Sequence, residues 1–244
     1  MSLMKVMMRL AYDGSRFQGF QIQNSGVPTV ANRLQEIFHS LGIREKFNAS
    51  GRTDSGVHAT DQVIDIRLPG YWKDLQQLQK SLNKKALPDI YIKKIEKVPE
   101  HFHARYSAKR RRYRYLVSTQ TPSVFKAYYR LYTDPFDIGR VAAAVRLFEG
   151  RHDFVHFKKS GSDTTNFVRT IYRARFYQYG ENGVFLFEAD GFLRSQIRMM
   201  VDFLLKIGNG RLSSEALLRQ LAAKEVISTD LCPPNGLYLS RIFY

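Results

Sequence analysis

Gly51-Arg52-Thr53-Asp54-Ser55-Gly56-Val57-His58-Ala59 sets two glycines around a short polar run, so the backbone can turn sharply and come close to a ligand. Arg52 and Asp54 stand two residues apart, which in an extended segment puts both side chains on one side. An arginine near an aspartate favours the ionised carboxylate. The stretch therefore predicts a loop holding a charged carboxylate. A nucleophilic or basic aspartate needs that arrangement, and a plain loop salt bridge looks the same.

The segments around this loop have alternating strand and helix patterns. Upstream, Val6, Met8, Leu10 and Tyr12 alternate as in a half-buried strand that ends at Asp13-Gly14. A polar-aromatic loop, residues 15–24, follows. Pro28-Thr29 then opens a helix with Val30, Leu34, Ile37, Phe38 and Leu41 on one face, and Gly42 stops it. Downstream, Val63, Ile64, Ile66 and Leu68 read as a strand. Trp72, Leu75, Leu78 and Leu82 mark a second helix, with 83–88 as its exit, and 90–98 is strand-like. Strand, helix, strand, helix, strand makes an α/β unit of about a hundred residues.

Residues 105–114 then change the composition: Arg105, Lys109, Arg110, Arg111, Arg112 and Arg114 are six cations in ten positions. This is the expected junction between two halves, 1–107 and 108–244. On the strand that follows, Tyr113, Tyr115 and Val117 share one face, and Arg112 and Arg114 the other. A charged strand of this kind resists edge-to-edge association. It also offers the basic, aromatic-floored groove that single-stranded nucleic acid requires. In the second half, Asp137 caps a helix through Ile138, Val141, Val145 and Phe148. Residues 168–178 and 184–189 read as an antiparallel pair. A helix over 195–207 turns Ile197, Val201 and Leu204 inward, with Arg194 and Arg198 one turn apart. Ser213 caps another helix, and Gly236 to Tyr244 closes as a strand. The fold class is α+β, two similar α/β halves with antiparallel sheets around a central basic cleft.

With 38 Lys+Arg against 22 Asp+Glu, the formal net charge is +16. Such a field attracts polyanions, nucleic acid first and an anionic membrane surface second. The 14 Tyr and 17 Phe favour nucleic acid, since bases stack on aromatic faces. Both halves are positive: 1–107 hold 16 basic and 10 acidic residues, and the rest hold 22 and 12. Cys232 is the only cysteine, so no intrachain disulfide forms. Lys5 and Arg9 interrupt the apolar N-terminus, no signal-peptide core is evident, and no window is apolar enough to span a bilayer. A cytoplasmic location without membrane attachment is expected.

Three chemistries compete for these residues. Asp54-Ser55-Gly56 has the form of an aspartic-protease loop, but that mechanism needs a second such carboxylate, and the chain has no other D-[ST]-G. His152-Asp153-Phe154-Val155-His156 spaces two histidines as zinc motifs do, yet Asp replaces the usual Glu and Gly150 has just stopped a helix. His101 and His103 raise the same question, and no metal is expected at either place. In a basic, aromatic-lined setting, a lone carboxylate can instead attack a sugar or base carbon of RNA and form a covalent intermediate. The target base must then be rotated out of its stack to be reached.

At this point the residues resemble the TruA-type tRNA pseudouridine synthases. Residues 51–59 look like that family's signature loop. The similarity runs from Tyr12-Asp13-Gly14 with Phe17, Gly19 and Gln21, through Gln62-Val63, Leu82-Asn83 and Leu87-Pro88. It continues with Phe102-His103-Ala104-Arg105, Arg112-Tyr113-Arg114-Tyr115, His152-Asp153-Phe154 with Phe157, Arg169-Thr170-Ile171 and Gly236-Leu237-Tyr238-Leu239.

The resemblance implies Asp54 as catalytic nucleophile with Arg52 as its ionic partner. Tyr113 would stack on the target uracil, Arg198 would be a substrate-binding arginine, and Leu237 would pack beside the base. Arg105, Arg110, Arg111, Arg112 and His58 would contact RNA. It further implies a homodimer acting on the anticodon arm of tRNA with no metal or organic cofactor. The chain departs from the family pattern at Phe20, Arg194, Ser195, Asp202 and residues 230–235. The alternative from another class is a catalytically silent RNA-binding protein of the same fold.

Overall fold

The alternation near the N-terminus becomes strand β1 (Met4–Tyr12), which buries Val6, Met8, Leu10 and Tyr12. The computed structural model describes residues 3–23, 26–161 and 164–244; Met1, Ser2 and Asn24 of the segments named above lie outside them. A short 3-10 turn (Gly14–Arg16) leads toward helix α1 (Val30–Ser40). Thr29 starts that helix by accepting the Asn32 N–H at 3.1 Å, satisfying one of the donors a helix start leaves unpaired. Strands β2 (Asn48–Ala49) and β3 (His58–Leu68) follow. Helix α2 (Leu75–Ala86) comes next, capped by Asp74, and then strand β4 (Ile90–Lys97).

The chain forms two compact units, one of Met1–Lys109 with Tyr238–Tyr244, the other of Arg110–Leu237. In the first, the strand order is β4-β1-β3 and then β10 (Leu237–Phe243), with β2 beside β3. β1 runs antiparallel to both β3 and β4, but β10 is parallel to β3, pairing Tyr238 with His58 and Leu239 with Ala59. The sheet is thus mixed, not wholly antiparallel as expected. A parallel pair requires a long connection, and here the entire second unit supplies it. The closing strand, expected in the second half, belongs to the first unit. Asn83 lies within α2, not at its exit, and its amide both donates to and accepts from the Ile92 backbone at 2.9 and 2.7 Å. That pairing covers part of edge strand β4.

The second unit begins with β5 (Arg110–Ser118) and β6 (Leu131–Tyr132), then α3 (Ile138–Ala144), which a 3-10 turn prolongs through Phe148. Next come β7 (Gly150–Asp153), β8 (Val168–Tyr179) and β9 (Asn182–Ala189). Helices α4 (Gln196–Gly208) and α5 (Ser214–Leu221) complete it. Its sheet order is β5-β9-β8-β7, with β6 parallel to the end of β5. Arg194 precedes α4, and Ser195 enters it at φ 59°, so Arg194 and Arg198 do not form a helical row. Phe148, Phe154, Phe157 and Phe187 are fully buried, with Phe148 edge-on to Phe157 at 5.4 Å. His152-Asp153-Phe154 is therefore a packing segment. His152 Nε2 lies 3.0 Å from the Glu149 carbonyl, and His156 Nε2 lies 3.3 Å from that of Ala223. No group of three metal-ligating side chains occurs among the described residues, nor does any helix there have the length and apolarity to cross a membrane.

Candidate active site

The loop carrying Asp54 is fastened from three directions within the first unit. At its entry, the Ser50 N–H donates to the Val63 carbonyl at 2.8 Å and Ser50 Oγ to Gln62 Oε1 at 2.6 Å. Gln62, fully buried, uses its Nε2 to hold the Gly51 carbonyl at 2.9 Å. At the centre Thr53 points inward: its Oγ1 lies 2.8 Å from the Tyr12 hydroxyl, and its carbonyl accepts the Phe20 N–H at 3.1 Å. At the exit, the Val57 N–H closes a turn on the Asp54 carbonyl at 3.2 Å, and the Gly56 N–H reaches the Phe17 carbonyl at 3.3 Å.

Two glycines allow this close bracing. A side-chain carbon on Gly14 would stand 2.1 Å from the Val57 carbonyl oxygen. Gly19, at φ +95°, would place one 3.1 Å from the Thr53 carbonyl oxygen, beside Asp54. Segments 12–14 and 17–20 are thus the backing of the loop.

With Thr53 inside, its neighbours turn outward: Asp54 is half-buried and Arg52 exposed. Among the described residues no ion pair joins exposed Arg52 to Asp54. His58, expected to touch RNA, is only 2% exposed. It starts β3 behind the loop, where Nδ1 accepts the Gly14 N–H at 3.0 Å and the ring stacks on Tyr238 at 4.7 Å. Its place is in the packing that supports the loop.

The remaining candidates belong to the second unit, apart from exposed Arg105, whose guanidinium lies over the Tyr106 ring in the first. Tyr113 on β5 is half-buried and meets Phe192 edge-on at 5.3 Å. Arg112 places Nε and Nη2 at 2.9 and 2.6 Å from Glu188 Oε2, while Arg110 Nη1 takes Oε1 at 2.7 Å. Glu188 is buried on β9, so it compensates two of the cations expected to face RNA. Arg111 donates to the Asp190 carbonyl at 2.7 Å. On α4, Arg198 donates Nε–H to the Cys232 carbonyl at 2.7 Å. Leu237 is buried. Tyr115, one pleat on from Tyr113, donates its hydroxyl to the Pro233 carbonyl at 2.7 Å. Burial pushes its pKa well up, and burial also pushes the Cys232 thiol up to about 12.

Sequence reading missed the structural roles of Gln62, Thr53 and Glu188. Glu188 is a polar interruption in an apolar strand, which is a visible signal, whereas Gln62 follows Thr60 and Asp61 and does not stand out. The Thr53–Tyr12 bond spans 41 residues and leaves no local one.

A family model described as tRNA pseudouridine synthase matches residues 9–107 and 144–244, which include Asp54, Arg52, Arg198 and Leu237 but not Tyr113. A tRNA pseudouridine synthase A of Campylobacter jejuni subsp. doylei is 41% identical over 244 residues, covering 99% of this chain and 100% of that one. Its namesake from Wolinella succinogenes is 41% identical over 235 residues, covering 96% and 92%. One from Lactococcus lactis subsp. cremoris is 39% identical over 244 residues, covering 96% and 95%. A braced aspartate loop on an α+β fold, a family model spanning both units and full-length relatives of one name together show that the chain belongs to the TruA-type tRNA pseudouridine synthase family of isomerases.

Proposed function

We propose that this chain isomerises uridine to pseudouridine in the anticodon arm of tRNA, with the Asp54 carboxylate as nucleophile. The observation that carries the reading is the bracing of the loop. Gln62, Thr53 and the Gly14–Gly19 backing hold the backbone of a half-buried carboxylate in one place. Preorganisation of this kind is what covalent catalysis requires. In the reaction, the C1′–N1 bond breaks while the carboxylate bonds to the nucleotide. Uracil then turns and joins C1′ through C5, the bond between carboxylate and nucleotide breaks to release Asp54, the C5 proton departs, and N1 takes up a proton. Nothing is oxidised or reduced, and no group enters or leaves, so the balance calls for no co-reactant.

The target base leaves its stack to be reached, and aromatic and basic groups receive it. Tyr113 is the proposed stacking partner, Arg198 a substrate-binding arginine, and Leu237 a packing residue beside the base. Arg105 and Arg111 are proposed RNA contacts. The proposed working form is a homodimer, which light scattering of the purified chain tests, and its proposed location is the cytoplasm.

The direct test uses a tRNA transcript tritiated at uracil C5, from which each turnover releases tritium to water. Wild type should release it. Asp54→Ala should lose at least about a thousandfold in rate while retaining tRNA binding, the scale seen when a covalent nucleophile is removed. Ordinary release by Asp54→Ala overturns the mechanism.

A further inference from the structure

Residues 225–233 have no regular secondary structure, yet side chains of the second unit fasten them at closely spaced points. Gln220, fully buried, accepts the N–H groups of Ile227 and Ser228, both at 2.8 Å, and donates to the Ser228 carbonyl at 2.8 Å. Lys206 donates to Ser228 Oγ at 2.8 Å, lies 2.8 Å from the Asp202 carboxylate and forms an ion pair with Asp230. Cys232 is clasped at both ends of its backbone: its N–H goes to the Arg198 carbonyl at 3.2 Å, and its carbonyl accepts Arg198 Nε–H at 2.7 Å. Tyr115 holds the Pro233 carbonyl.

Arg198, Asp202 and Lys206 are four residues apart on α4, so they form one row along the helix. Asp202 is consequently within reach of two cations, one turn before it and one turn after. Lys206 takes it. Burial works against the lysine's charge, but hydrogen bonds and charge from Asp202 and Asp230 outweigh this and hold its pKa above the ordinary value. With the carboxylate drawn toward Lys206, the Nε–H of Arg198 points at the Cys232 carbonyl, and that bond fixes one edge of the guanidinium.

We infer that segment 225–233 is a positioning strap for Arg198, and that the Asp202–Lys206–Asp230 cluster keeps it in register by holding Asp202 away from the arginine. The inference rests on the proposed reading of Arg198 as a substrate-binding arginine. An arginine side chain has many rotamers to lose, and fixing it in the free protein removes that cost from the reacting state. Lys206 thus acts at a distance of two helical turns through charge. It is a positioning residue that touches no substrate.

The test uses the full chain, the tritiated tRNA transcript and solvent exchange of the Arg198 Nε–H, observed by nitrogen-15 NMR and assigned with Arg198→Lys. In wild type this proton should exchange slowly. Lys206→Met keeps the side-chain bulk and frees Asp202 to compete for Arg198. It should lose the protection and lower the single-turnover rate about tenfold with tRNA affinity within about twofold, as a misplaced catalytic contact does. Adding Asp202→Asn to Lys206→Met should restore part of both readouts, the Ser228 and Asp230 anchors staying lost, which a merely unfolded variant would not do. Lys206→Met with wild-type protection and rate, or a double variant no better than the single, overturns the inference. If wild type releases no tritium, the functional reading fails, and exchange protection alone still decides the strap.

Discussion

Thr53 Oγ1 and the Tyr12 hydroxyl lie 2.8 Å apart in the interior of the first unit, so the residue next to Asp54 is tied to the end of strand β1. The tie converts a glycine-bounded loop into a fixed platform. Thr53 is held through its hydroxyl and its carbonyl, and Asp54 turns outward because its neighbour cannot.

Thr53→Val keeps the shape of the side chain and removes the hydroxyl. It should cost about 1–2 kcal/mol of stability, the usual scale for losing a buried hydrogen bond. It should also slow tritium release about tenfold, because the carboxylate then samples more positions. Thr53→Ser retains the oxygen and should keep most of both. Urea midpoints and single-turnover rates check this. An unaltered rate in Thr53→Val sinks the platform argument.

Gly14 and Gly51 make opposite predictions. A methyl group on Gly14 would lie 2.1 Å from the Val57 carbonyl oxygen, with backbone on both sides that cannot move aside. Gly14→Ala should cost at least about 3 kcal/mol, the upper range for overpacking. Gly51 has no atom within 4 Å of the same position and no positive φ. Gly51→Ala should stay within about 0.5 kcal/mol of wild type. Equal midpoints for the two variants would refute the claim that segment 12–14 supports the loop.

These residues also show what could be read before folding. The period-two run at Val6 to Tyr12 and the caps Thr29, Asp137 and Ser213 act over one to four residues, so their elements were legible. The loop was legible as a site because its glycines and its charges are neighbours in sequence. Its supports were not, since Gln62, Tyr12 and Gly14 meet it only after β1 and β3 pair. His58 was misread for the same reason: a polar residue in a signature suggests a ligand contact, whereas its partners Gly14 and Tyr238 are remote in the chain. Strand β10 followed the expected pattern but joined β3 in parallel, because periodicity specifies a strand and not its neighbour.

Arg112 lies in the most basic stretch of the chain, but its Nε and Nη2 reach Glu188, whose side chain is 5% exposed. Arg112→Met should leave that carboxylate with Arg110 alone. The expected cost is about 2 kcal/mol, below the figure for a fully buried pair because Arg112 keeps some access to solvent. The salt dependence of tRNA binding should not change, whereas loss of a phosphate contact would lower the slope by about 1. A lowered slope with an unshifted unfolding midpoint would make Arg112 an RNA contact after all.

Cys232 supplies a pH prediction with a definite sign. Burial raises its thiol from an ordinary value near 9 to about 12, so the folded chain retains a proton that the unfolded chain gives up. Its contribution is complete below about pH 9 and declines as pH rises toward about 12, with a slope of about 1.4 kcal/mol per pH unit. Tyr115, whose pKa burial also raises, adds a second decline of the same sign starting about one unit higher. Cys232→Ala removes the first and, because Cys232 also helps raise the Tyr115 pKa, lessens the second. Its stability should therefore fall less steeply than that of wild type between about pH 9 and 10, measured as urea midpoints across that window. Since Cys232 is the chain's single cysteine, a thiol reagent reports on it alone. Reaction should be undetectable in the native protein at pH 8 and complete in urea. Prompt labelling without denaturant, or parallel alkaline profiles for the two proteins, would show that the side chain of residue 232 is not sealed inside by the strap.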